Sequence, residues 1–283
     1  MYRDAGGIPV RPRVVAFLND HAAALIKASY DDVTGRQLHR AVGGLSALAG
    51  ICAYDADLQG VAQRYFFHAL RMAKASGDRG FGGYVVALLA NQAHYLGLHR
   101  QVIQYTETAL RGASRHLTPA LVTDLSTLQA KAYARMGDRA GCSASMRQAE
   151  DMAGRIRLSE EPAETGYVQP GLVEVQHAEA LRSLGDLSAA RSYAERSVAA
   201  GSGTHMRGNV HRLATLATIL AAQGDADAAA WVAGQMLDRA TGMESRRIHD
   251  RIVGVRNAIT SVSDGAMARD LSERVEDVIG LPM

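Results

Sequence analysis

The sequence predicts an all-α fold: a right-handed superhelical solenoid of about five helix pairs with capping helices at its ends. Three observations carry that reading. The chain is rich in alanine, the strongest helix former, and its prolines stand only at 9, 12, 119, 162, 170 and 282, so long stretches run uninterrupted. Small residues recur with a period of about forty, and glycines fall between them at a constant offset.

The columns are explicit. Gly50, Ala90, Ala130, Ala178 and Ala217 form the first, and Ala62, Val102, Cys142, Ala190 and Ala229 stand twelve residues later. Ala69, Ala109, Ala149, Ser197 and Met236 follow seven residues further on, with Met236 the misfit. Gly97, Gly137, Gly185 and Gly224 lie seven residues after the first column, and Asp57 takes that place in the first unit. A small residue midway along one helix lets a second approach at roughly 8–10 Å between axes. The glycine ends the first helix in a conformation side chains resist, and an aspartate after it (138, 186 and 225) caps the second.

Taken in order, residues 12–29 read as a helix opened by Pro12, with Val14, Val15, Leu18, Ala22, Leu25 and Ile26 at helical spacing. Five units begin near Gly43, Gly83, Thr123, Gly171 and Val210. The surplus between the third and fourth falls in residues 157–170, whose Glu160, Glu161, Pro162, Gly166 and Pro170 read as a loop. Gly201-Ser202-Gly203 reads as an interhelical linker. Residues 244–262 and 266–279 read as two further helices, the last with the apolar stripe Met267, Leu271, Val275, Val278 and Ile279. An end cap is the plain reading of that stripe, and a homodimerisation helix the sharper one. The expected division is one domain: N-terminal helices in 1–42, five repeats in 43–240 and capping helices in 241–283.

The order small residue, turn glycine, small residue, small residue resembles the tetratricopeptide repeat, whose basic unit is about 34 residues. Residues 45–78, LSALAGICAYDADLQGVAQRYFFHALRMAKASGD, further resemble a signature of actinobacterial transcriptional regulators. Those regulators carry a helix-turn-helix of the xenobiotic-response-element type ahead of a tetratricopeptide-like domain. RPRVVAFL at 11–18 and residues 30–36 are similar to the start of that second domain, and SRRIHDRIVGVRNAI at 245–259 to its close. The resemblance implies a sensing or partner-binding role and transfers no catalytic residues. With about ten residues ahead of the domain, a helix-turn-helix module is not expected here, and neither is direct nucleic-acid binding.

Bulk properties narrow the function. A chain 47% hydrophobic and 21% charged buries a continuous interior, and a net charge of +2 offers no general basic surface for nucleic acid. Cys52 and Cys142 are too few for a disulfide framework. Leu213 to Ala222 is too short to span a bilayer, so a cytoplasmic protein is expected. Phosphate-loop, dinucleotide-loop, nucleophile-elbow and HExxH motifs are absent. Glu174 and His177 make a single ExxH without a partner, and a core histidine is the simpler reading. No catalytic residue, metal or cofactor is implied.

Leading helices of such pairs line the concave face, so their polar residues are the candidates. They are Tyr84, Asn91, His94 and Tyr95 in the second unit; Asp124, Thr127, Lys131 and Arg135 in the third; Glu179 and Arg182 in the fourth; and His211 and Thr218 in the fifth. Lys131 and Arg135, four apart, suit a carboxylate or phosphate, and Asn91 a peptide backbone. Arg246, Arg247, His249, Arg251 and Arg256 read as a solvated basic face. The sequence therefore favours a non-catalytic regulatory adaptor holding a protein or peptide partner in its groove. The alternatives are a sensor of a small-molecule effector or signal peptide, with a pocket near Tyr54, Tyr84 and Tyr95, and an enzyme built around Glu174, His177 and Glu179.

Overall fold

The computed structural model describes residues 6–201 and 206–279. It opens with α1 (Arg11–Phe17), a π-turn (Leu18–Ala22) and α2 (Ala23–Ile26), which together match the first expected helix. Six hairpins follow: α3 (Asp32–Asp55) with α4 (Gln59–Ser76), α5 (Arg79–Tyr95) with α6 (His99–Gly112), and α7 (Pro119–Arg135) with α8 (Arg139–Ala153). The remaining three are α9 (Leu172–Ser183) with α10 (Leu187–Ala199), α11 (Met206–Ala222) with α12 (Ala226–Ala240), and α13 (Arg246–Thr260) with α14 (Ala266–Ile279). Leading helices stack on leading helices along the chain from α3 through α5, α7, α9 and α11 to α13. The fold is an all-α solenoid of paired helices resembling tetratricopeptide repeats.

The repeat columns do what their chemistry requires. Every residue of the three small columns is buried, Met236 included, so the misfit by size is still a packing residue. A side chain on Gly50 would run into Phe66 of α4, which explains glycine where later units carry alanine. Gly97, Gly137, Gly185 and Gly224 have φ between 75° and 84°, the left-handed region that ends a helix without strain only at glycine. Asp57, at φ 60°, is the one non-glycine in that region among the described residues. Asp138, Asp186 and Asp225 accept from the backbone N–H of Gly141, Ala189 and Ala228 at 2.8, 3.1 and 3.4 Å, capping the trailing helices.

At the chain's end, Ala268, Leu271 and Val275 bury against the preceding pair, so α14 caps the fifth unit. The side chain of Ile279, and Ser202 and Gly203 of the expected linker, lie outside the described residues. Residues 32–42, grouped with the N-terminal helices on sequence, are the first turns of α3.

Two features close the solenoid on itself. The 157–170 segment is irregular except for a 3₁₀ turn, Ala163–Thr165, and returns to the leading helices. Glu161 accepts from Ala120 N–H at 3.0 Å at the start of α7, Tyr167 donates to Asp124 at 2.6 Å, and Glu164 pairs with Arg40 of α3. Far along the chain, Asp55 at the end of α3 is completely buried. It accepts from Gly7 N–H at 2.7 Å, from Ser245 Oγ at 2.7 Å and from the Arg207 guanidinium. Ser245 is also the N-cap of α13. One carboxylate thus ties the N-terminal segment and first pair to the fifth and sixth.

Candidate ligand cavity

Closure leaves a cavity of about 480 Å³, open to solvent on one side, against the leading helices α5, α9, α11 and α13. Its polar lining is Tyr95, Glu179, Arg182, Thr215, Thr218, Arg247, Asp250 and Arg251, with Ala214, Gly254, Val255 and Ala258 as its apolar wall. The volume falls within the roughly 300–1,000 Å³ of small-molecule sites.

Glu179 organises one side. Its carboxylate lies 2.8 Å from His211 Nε2, 3.4 Å from Lys131 Nζ and 3.5 Å from Arg251 Nη1, contacts that gather α7, α9, α11 and α13. Burial alone would raise the Glu179 carboxyl, but His211, Lys131 and Arg251 hold it well below the usual carboxylate range. Burial, with Arg251 adding repulsion, pushes His211 down to about 4, so near neutral pH it is an uncharged donor to Glu179. Burial also lowers the Lys131 ammonium, opposed by Glu179 and Asp124.

The other side is aromatic and cationic. The Arg247 guanidinium lies 4.0 Å from the ring centroid of Tyr54 and 5.3 Å from that of Tyr95. The two tyrosines meet edge to face at 5.6 Å. Tyr95 donates to Asp250 at 3.3 Å; burial, then Asp57 and Asp250, raise its phenol to about 12 and keep it a donor.

Of the residues proposed from sequence, Tyr95, Glu179, Arg182 and Thr218 line the cavity, while Lys131 and His211 stand behind Glu179 as its partners. Lys131 is only 6% exposed and committed to Glu179, and Arg135 is exposed, so the expected Lys131–Arg135 clamp does not form. Tyr84 is core, packed on Phe81, and Asp124 is buried beneath Tyr167. The Asn91 carbonyl receives the Tyr54 hydroxyl at 3.5 Å. His94 packs against His99, and burial, with Lys131 nearby, takes it down to about 3.

Two corrections follow from α13. The basic stretch expected to be solvated is partly interior: Arg247 stacks on the tyrosines, Arg251 meets Glu179 and His249 is buried. Glu174, His177 and Glu179 do not converge. His177 is fully buried, 3.4 Å from Glu150 and edge-on to Tyr193, whereas Glu179 lies on the opposite side of α9.

Arg247, Asp250, Arg251 and Thr215 were missed as lining residues. The available signal was the pairing order itself, because a helix following α12 across a short turn takes the leading position of a sixth pair. A wider groove of about 1060 Å³ lies between α4 and α6; apart from Arg64, Arg71, Lys74, Asp78, Arg79 and Thr108 its lining is apolar or glycine.

No protein-family model and no curated protein matches the chain. Among solved structures, one described as the TPR2AB-domain–pHSP90 complex of yeast Sti1 aligns over 95% of this chain and 99% of that one, at 14% identity and a TM-score of 0.28. No described helix is long and apolar enough to cross a membrane. The repeating helix pairs, read from this chain's own geometry, therefore define its fold.

Proposed function

We propose that this chain is a non-catalytic ligand-sensing module, in which a small molecule or short peptide end seats in the inner cavity and sets how firmly the solenoid is closed. A single observation carries the reading. The cavity is walled by α13, the same helix whose Ser245, Arg247 and Arg251 hold the first pair and Glu179, so an occupant touches the closing element directly. The regulatory role, in transcription, rests on the resemblance of residues 45–78 and 245–259. A partner protein would then read the open or closed form.

The test uses the cavity's own geometry. Gly254 lines it, and a Cβ added there meets open space, so Gly254→Phe sets a ring on the cavity wall with no clash at its Cβ. A thermal-shift screen of metabolites and short peptides should find a compound that raises the melting temperature of the wild type and leaves Gly254→Phe unmoved. Equal stabilisation of both proteins by every hit would sink the reading.

A second reading, an extended peptide lying along the groove, is favoured by the polar docking of residues 157–170 through Glu161, Glu164 and Tyr167. It requires displacement of that segment. Hydrogen exchange of residues 157–170 unchanged on adding a bound peptide would exclude it.

A further inference from the structure

We propose that the inner cavity takes a compact anion, a carboxylate or phosphate group on a small apolar body; this deepens the sensor reading and rests on it. The lining carries three guanidinium groups, Arg182, Arg247 and Arg251, against two carboxylates, Glu179 and Asp250. Both carboxylates are already provided for. Glu179 is shared by His211, Lys131 and Arg251, and Asp250 by Arg246 at 3.3 Å and the Tyr95 hydroxyl. Among the described residues, Arg182 makes no hydrogen bond or ion pair, Glu179 acting on it only at longer range, and the buried Arg247 Nε has no acceptor.

A neutral group marks the same place. Thr215 is 4% exposed and lines the cavity, and its Oγ1 has no hydrogen-bond partner among the described residues. A buried hydroxyl left unpaired is costly, and a bound oxyanion is an acceptor for it. Guanidinium forks and a hydroxyl donor are the groups that recognise carboxylate and phosphate oxygens. In the same lining, Ala214, Gly254, Val255 and Ala258 leave room for a small apolar body and offer it no hydrogen-bonding side chain.

Calorimetric titration of the full chain with inorganic phosphate, with isovalerate and with trialanine tests the inference and separates a free phosphate, a small carboxylate and a peptide end. At least one probe should bind, with trialanine losing its affinity when its C-terminus is amidated. Arg182→Gln should weaken the bound probe by about tenfold and Thr215→Val by about fivefold. Arg64→Gln in the outer groove should change nothing. Thr215→Val carries a second readout, because removing an unpaired hydroxyl should raise the melting temperature of the free protein by about 2–4 °C while weakening the anion. A merely structural threonine would not move the two in opposite senses. No binding of any probe up to about 10 mM, or binding that Arg182→Gln and Thr215→Val both leave unaltered, overturns the proposal. If a neutral compound is blocked by Gly254→Phe while all three anions fail, the sensor reading survives and only the anion falls.

Discussion

Asp55 and Glu179 are both carboxylates surrounded by cations and donors, yet they are built for different ends. Asp55 is sealed: no part of its side chain is exposed, and its three donors come from residues 7, 207 and 245. Glu179 is 21% exposed and faces the cavity, with donors from three helices around it. A sealed ion pair mainly costs stability when one partner is removed, because the other is left uncompensated. A pair that lines a cavity can trade a partner with whatever enters. Asp55 is the pin of the closure, and Glu179 a charged wall of the cavity.

The largest effect should come from breaking the sealed site. Asp55→Ala removes the buried carboxylate that the Arg207 guanidinium, Ser245 Oγ and the Gly7 N–H share, and should cost about 3–5 kcal/mol in urea unfolding. A loss below about 1 kcal/mol would show that the closure does not form in solution.

Next is acid. His94, His177 and His211 are held by burial at about 3, 4 and 4, below their ordinary 6.5. The unfolded chain takes up protons as pH falls through 6.5 while the folded chain does not, so stability is full above 6.5 and declines toward 4. Each histidine that stays neutral should remove about 2 kcal/mol between about pH 7.5 and pH 5. Glu179 adds its own loss as pH falls from the usual carboxylate range toward its depressed folded value, because the unfolded chain protonates there first. Denaturation midpoints that do not move between those two pH values would contradict this burial.

Smaller still, Arg247→Ala removes the guanidinium from Tyr54 and should cost about 1 kcal/mol, read by thermal unfolding. The substitution loosens α13 without touching Asp55. The smallest change has the opposite sign. Gly254→Ala should stabilise by about 0.5–1 kcal/mol, because the helix gains propensity and the added methyl meets open space. A destabilised Gly254→Ala would mean that the cavity wall is not the helix described.

The repeat was legible because local rules write it. Left-handed glycines, aspartate caps and small columns depend on neighbours within one hairpin, so Gly137, Asp138, Cys142 and Ala149 announce their roles in sequence. Tyr95, Glu179 and Arg182 were legible as inner positions for the same reason. What sequence alone could not decide was curvature. A small rotation at each pair accumulates along a solenoid, and no single residue encodes where its ends meet. That meeting pairs Asp55 with Ser245, 190 residues away, and turns Arg247 and Arg251 from an apparent surface face into cavity wall; the packing of neighbouring pairs buries Lys131 against Glu179.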